Sequence, residues 1–449
     1  MIDGAAAPGG LLLALKRARP ERYPYLLESA AQGGGARYSI LFAFPGDTLT
    51  LSQAFELSKL APGDNQFLAT LDEWWQHEHH DASSSAHDAE LPFRGGWFLY
   101  LGYELAAEIE SLPIPPADSA LPVAIATRIP AAIIYDHQRD CYFPMAEPGQ
   151  PELLDALQAD IARPPNVSPA TAQASAVHLT EDPPERYLQN VARAREYIHA
   201  GDVFQVNLAR TWRGDIADSL DANDLYARLK TANPAPFAGM ADCGGGGAIV
   251  SSSPERLVRV TGRRVETRPI AGTRPRHADA ARDAELMSQL MAHPKERAEH
   301  VMLIDLERND LGRIAKTGSV RVDEMMVTES YAHVHHIVSN VCAELRADTT
   351  PGAVIRAVFP GGTITGCPKV RCMEIIAELE QTRRGPYTGA MGYLNRDGDM
   401  DLNILIRTLV IENRRLSLCA GAGIVADSVP EFELDETRAK ARGLLAALT

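Results

Sequence analysis

Two stretches of helical period each carry carboxylates three residues apart. Glu296 and Glu299 stand in PKERAEHVMLIDLERNDLGRIAK, and Glu433 and Glu436 stand near the C-terminus, where Lys440 continues the same face. Glutamates at this spacing form solvated faces by default. If the two helices converge, four carboxylates without a thiolate or imidazole cluster make a hard-cation site of the Mg²⁺ type, completed by water. Arg407 lies in NILIRTLVI, where strand alternation gives it one face with Leu405 and Leu409. An unpaired guanidinium in such surroundings costs several kcal/mol, roughly. Either a structural ion pair or a ligand carboxylate would answer it, and guanidinium geometry suits both. Gly421 and Gly423 in CAGAGIVADS leave room for a ligand against backbone, or serve a bulge or turn. The run YAHVHHIVSNV holds His333, His335 and His336 without an evident fourth ligand for zinc, so one of them reads as an acid or base.

These residues need elements to hold them. RYLQNVARAREYIHAGD has helical period, VFQVNLARTW reads as a strand, and AIVSSSPERLVRVTGRRVETRPIAGT reads as two strands meeting at Thr261-Gly262. YTGAMGYLNRDGDMDLNILIRTLVIENRRLSLCAGAGIVADS reads as a three-stranded meander with turns at NRDG and ENRR. A final helix follows, signalled by Ser428-x-x-Glu431 with Pro430 in its first turn. Earlier, YSILFAF, GGWFLYLGY and AAIIYDH are strand-like runs separated by helical ones. The Pro/Ser/Thr/Ala-rich text of 163–184 reads as an exposed linker between residues 1–162 and the signal-dense 185–449.

The 449 residues are enough to bury a large core, and 45% hydrophobic with 23% charged residues is a globular composition. The net charge of −15 has the wrong sign for tracking nucleic-acid phosphates, and an anionic ligand would need locally placed cations, a metal or backbone N–H groups. No run approaches the roughly 18 apolar residues of a membrane span. MIDGAAAPGGLLLALKRARP places an acid before its apolar run and bases after it, the reverse of a secretory signal. With six scattered cysteines and no C-x-x-C pair, a reducing cytoplasmic location is expected.

SSSPERLVR, RPIAGTRPR, ERAEHVMLIDLERNDLGRI, HVHHIVSNV, FPGGTITGCPKVRCMEIIAELE, GAMGYL, DLNILIRTL and AGAGIVADSVPEFELDETRAKA occur in this order. Together they resemble the chorismate-utilising enzymes, densely over 185–449 and loosely before it. The resemblance implies an α/β (α+β) fold of two antiparallel β-sheets packed face to face with helices outside. It implies Mg²⁺ held by Glu299 and Glu436, with Glu296 and Glu433 behind its waters. Arg407 and Tyr393 would grip the enolpyruvyl carboxylate of chorismate, while Lys440, the metal and the backbone of Gly421, Ala422 and Gly423 receive the ring carboxylate. Glu255 matches the family's general acid for the C4 hydroxyl, His336 its active-site histidine and Thr363 a hydroxyl contact to the ring. Thr273 falls in the PIAGT motif beside them.

Water-adding members of the family carry a lysine base where this chain has Gln205, and glutamine cannot deprotonate water. Ammonia is therefore the expected nucleophile. No G-x-C-x-G elbow with a downstream His-Glu is present, so a separate glutamine amidotransferase subunit is the expected source. Ala271 stands where many aminodeoxychorismate-forming members have a nucleophilic lysine, which is the anthranilate-forming pattern. Thr365 in TITGCPK, Thr388 in YTGAMGY and the segment Asn233-Pro234-Ala235-Pro236-Phe237-Ala238 lean the other way. The expectation is the aminodeoxychorismate-forming branch, leading toward 4-aminobenzoate and folate, with the anthranilate-forming branch as the alternative. A non-catalytic regulator that binds chorismate or tryptophan would have no physical reason to keep Glu255, Glu299, His336 and Glu436.

Overall fold

The computed structural model describes residues 2–3, 10–31, 37–52, 66–80, 90–115, 119, 121–165, 177–277, 279–330 and 334–449. Half of the expected linker, 166–176, lies outside the described residues, as does His333.

Alternation along the strands builds the architecture. In Gly96–Leu101, Phe98 and Tyr100 face one core while Trp97, Leu99 and Leu101 face another. Two sheets result, of twelve and ten strands. Their inner faces meet where Tyr25 of the larger sheet stacks on Phe98 of the smaller, with ring centroids 3.8 Å apart. Phe42, Ile249, Met391 and Leu405 complete that core. Helices cover the outer faces. Leu12, Leu15, Leu225, Leu229 and Leu444 pack on Trp212 and Leu418 of the larger sheet, and Ile304, Leu311, Val354 and Ile355 share a core with Val258 and Leu402 of the smaller. This is the face-to-face antiparallel arrangement with helices outside that the sequence led us to expect. Early and late segments share both sheets: Tyr25–Glu28 pairs with Phe237–Gly244, and Gly96–Leu101 with Ala390–Asn395.

Two stretches expected to be continuous strands are instead broken. Gly247–Ser253 belongs to the larger sheet, between Phe237–Gly244 and Thr408–Glu412. After Pro254 and Glu255 the chain continues as Arg256–Thr261 in the smaller sheet, paired with Met400–Ile404. Proline has no N–H to give a ladder, which ends the first strand there. The mirror-image break occurs between Met400–Ile404 in the smaller sheet and Thr408–Glu412 in the larger, where Arg407 takes a left-handed backbone, φ +54°. The expected three-stranded meander is therefore two hairpins, one in each sheet. The two crossings run side by side, since Ile404 N donates to Glu255 O and Ser252 N to Arg407 O, both at 3.0 Å. Glu255 and Arg407 are thereby carried into the space between the sheets.

The helix signals hold with one change. Pro184–Ala200 ends at Gly201 with φ +85°, and the last helix spans Pro430–Ala446. Its expected serine cap is not formed, because Ser428 Oγ accepts from Val425 N instead.

Candidate active site

Glu255 is buried at the first crossing and accepts a 2.7 Å hydrogen bond from Thr363 Oγ1. Burial pushes its carboxyl up to about 7, against the opposing pull of that bond and of Arg407. Such a group holds a proton near neutrality and can pass it to a leaving hydroxyl. Thr363 is presented by the tight turn Gly362–Ile364, and a Cβ on Gly362 would stand only 2.1 Å from Leu306 Cδ2.

His336 lies on Val334–Glu344, in register with Thr273 of Ile270–Pro275. Burial pushes its imidazole down to about 4, so it is neutral at physiological pH. His335, on the other face, bonds Ser330 and Asp283 and is structural. Ala271 is buried, and beside it Gly272 forms a bulge with φ +69°, where a Cβ would meet Glu296 Oε2 at 2.8 Å. The side chain of Thr273 lies outside what the structure describes, so its expected role stays open.

Arg407 is half-buried at the second crossing and makes no ion pair among the described residues. Burial lowers its pKa, and Tyr387, Glu255 and Glu436 oppose that only through space. Tyr387 borders the glycine strand: a Cβ on Gly421 would be 2.9 Å from its hydroxyl. A Cβ on Gly423 would be 2.2 Å from Gln205 Nε2, so both glycines are required by close approach. Ala422 turns its side chain the other way, into the core, leaving only its backbone for the site. Lys440 Nζ donates to Gly421 O at 2.9 Å and pairs with Glu436 at 2.7 Å.

The four expected metal carboxylates come from helices on different sheets. Pro294–Gly312 packs on Ile270–Pro275 and Val334–Glu344, whereas Pro430–Ala446 packs on Arg415–Ile424. Glu296 is paired with Arg274 at 3.2 Å and Glu436 with Lys440. Among the described residues, no three His, Cys, Asp or Glu side chains stand close enough to hold an ion. The donors fit Mg²⁺ by chemistry, since it needs only one or two carboxylates and keeps several waters. They are not gathered into a cage.

One expected residue is displaced. Tyr393 does not join Arg407. It lies on Ala390–Asn395, its ring against Phe42 and Phe93, and lines a separate cavity with Leu27, Glu28, Ser29 and Asp401. Tyr387, six residues earlier and before the strand begins, takes the place beside Arg407. In YTGAMGY both tyrosines look alike, and only the strand start separates them. Glu307 was also missed. It is buried under Gly362, and burial together with Asp310 raises its carboxyl. Nothing in LERND distinguishes it from a solvated helix glutamate.

Among the described residues no helix is long and apolar enough to cross a membrane, and none of the six cysteines is disulfide-bonded.

Comparison with known proteins agrees with this arrangement. A family profile for chorismate binding enzymes matches residues 27–446. Anthranilate synthase component 1 of Thermus thermophilus is 40% identical over 97% of this chain and 94% of its own length. Aminodeoxychorismate synthase component 1 of Bacillus subtilis is 38% identical over 96% and 93% respectively. The crystal structure of anthranilate synthase component I from Streptococcus pneumoniae superposes with a TM-score of 0.79 at 32% identity, covering 92% of each chain.

Proposed function

Since the chain belongs to the chorismate-binding enzymes, we propose that it is component I of an aminodeoxychorismate synthase, converting chorismate and ammonia to 4-amino-4-deoxychorismate for 4-aminobenzoate and folate synthesis. The observation that carries this is Arg407, a half-buried cation without an ion pair among the described residues, near a carboxyl raised to about 7. That combination suits an anionic substrate that must lose a hydroxyl.

In this reading Arg407 and Tyr387 receive the enolpyruvyl carboxylate, and Lys440 with the Gly421–Gly423 backbone receives the ring carboxylate. Mg²⁺ held by Glu299 and Glu436 would supply further positive charge to the ring carboxylate. Glu255, steadied by Thr363, gives its proton to the C4 hydroxyl, which departs as water. Neutral His336 stands by that hydroxyl as a hydrogen-bond partner. Ala271 offers no nucleophile, so ammonia forms the first C–N bond at C2 as the ring double bonds shift, and it releases a proton to solvent. A second ammonia then bonds C4 as the ring double bonds shift back; the C2 amine takes up a proton and leaves as ammonia, and the new C4 nitrogen gives a proton up to solvent. Gln205 cannot activate water, which favours ammonia, and a separate glutamine amidotransferase subunit is the source we assign to it.

A second reading is anthranilate synthase component I, in which the 2-amino intermediate loses pyruvate. Ala271 and the Thermus thermophilus relative favour it, while Thr365, Thr388 and the 233–238 segment favour the first. Incubation with chorismate, Mg²⁺, ammonium and a 4-amino-4-deoxychorismate lyase should yield 4-aminobenzoate. Stoichiometric anthranilate and pyruvate without 4-aminobenzoate would establish the second reading instead.

A further inference from the structure

Gln205 and Asn207 share one face of the strand Gln205–Asp215 and lie over the glycine strand, where Asn207 is in register with Gly423. Both side chains are only 8% exposed. Gln205 Oε1 and Asn207 Oδ1 are both buried and accept no hydrogen bond. A buried acceptor left without a donor is costly, so two on one face of a strand call for something that donates to them. Both amides lie directly against the glycine strand: Asn207 Oδ1 is 2.7 Å, and Gln205 Nε2 2.2 Å, from where Cβ atoms on Gly421 and Gly423 would stand.

We propose that the Gln205 and Asn207 amides form a two-acceptor seat for ammonia beside the glycine strand. The occupant must be small and donate at least two hydrogen bonds. Ammonia and ammonium meet both conditions. Water also does, and it is the competing occupant. Neutral amides suit the seat, since they accept N–H bonds without withdrawing the proton that a carboxylate would compete for. Asn207 is thus a nucleophile-positioning residue, and its side chain is not needed to receive either carboxylate of the substrate. The inference rests on the aminating reading above.

The test is steady-state amination by the full-length protein with ammonium chloride as the probe, with KM measured separately for ammonium and chorismate. Asn207→Leu, similar in volume but without an acceptor, should raise the ammonium KM about tenfold, as expected for a lost hydrogen bond. The chorismate KM should stay within about twofold. Asn207→Ala, which cannot overpack, should do the same if the leucine variant folds poorly. Asn207→Asp keeps the acceptor, so the ammonium KM should stay near that of the unaltered protein, while its carboxylate competes for the proton and lowers kcat. Amination with unchanged ammonium KM in both the leucine and alanine variants would overturn the seat and leave water as its occupant. Equal rises in both KM values would also overturn it. If the unaltered protein aminates nothing at any ammonium concentration, the aminating reading itself fails, and the seat with it.

Discussion

Two arginine–glutamate sites near Tyr387 make an instructive contrast. Arg384 is buried and gives hydrogen bonds to both oxygens of Glu380, at 2.6 and 2.9 Å, and to the carbonyls of Ile364 and Asn207. Glu380 also accepts Ala209 N, and the guanidinium sits 4.9 Å from the Tyr103 ring centroid. Arg407 has no ion pair among the described residues, and the carboxyl of Glu255 has the Thr363 hydroxyl as its hydrogen-bond partner. The residue types are the same, yet one site is closed and the other is left for a ligand to complete. Buried charge is therefore not by itself a sign of function; a cation drawn in from solvent without a partner is the stronger pointer to a ligand.

The largest expected effect is on the open side. Glu255→Gln should lower turnover roughly 10²- to 10⁴-fold while chorismate still binds, since the variant has no proton to give. Quench-flow product analysis with equilibrium binding checks it, and near-normal turnover would remove Glu255 as the acid. The arginines should then separate cleanly. Arg384→Ala should cost about 3–5 kcal/mol in denaturant unfolding, because it strands Glu380 in the interior. Arg407→Ala should fold almost normally but raise the chorismate KM about 30-fold or more, the scale of losing one partner of a buried charge pair. Equal loss of stability in both variants would erase the contrast.

Smaller effects sharpen it further. Glu436→Gln should abolish the stimulation of turnover by Mg²⁺ while leaving circular dichroism unchanged, because one hard-oxygen donor is gone. Stimulation that survives intact would exclude Glu436 from metal binding. The pH profile gives the finest test. With Glu255 raised to about 7 and active only when protonated, kcat/KM should fall as pH rises through about 7. The Thr363 bond favours the ionised form, so Thr363→Val should move that falling limb to higher pH, by about half a unit to one unit. A limb that moves to lower pH would contradict the assignment.

Local pattern made much of this protein legible. Alternation marked Tyr38–Ala43, Gly96–Leu101 and Ala131–Asp136 as strands, and 3.6-residue period marked Pro184–Ala200 and Pro294–Gly312 as helices. The glycine pair and the arginine of NILIRTLVI stood out by residue type and spacing, whereas the SPE glutamate was picked out only through the family resemblance. What escaped was everything that depends on where a chain leaves one sheet for another. NILIRTLVI alternates smoothly, so nothing in its composition reports that Ile404 and Thr408 belong to different sheets. Tyr387 and Tyr393 are likewise told apart only by where the strand begins, at Ala390.

By itself the sequence determined which chemical groups are available: a carboxyl at Glu255, an amide at Gln205, a methyl at Ala271, and two glycines without Cβ atoms. Those are properties of single residues, and no fold can alter them. The tertiary structure alone decided which of these groups are left unsatisfied. Arg384 has its carboxylate partner only four residues away, at Glu380, and reaches the distant carbonyls of Ile364 and Asn207, whereas Arg407 sits where two adjacent crossings expose one face between the sheets. A pKa near 7 on Glu255 is likewise a property of its burial, which exists only once both sheets have closed over it.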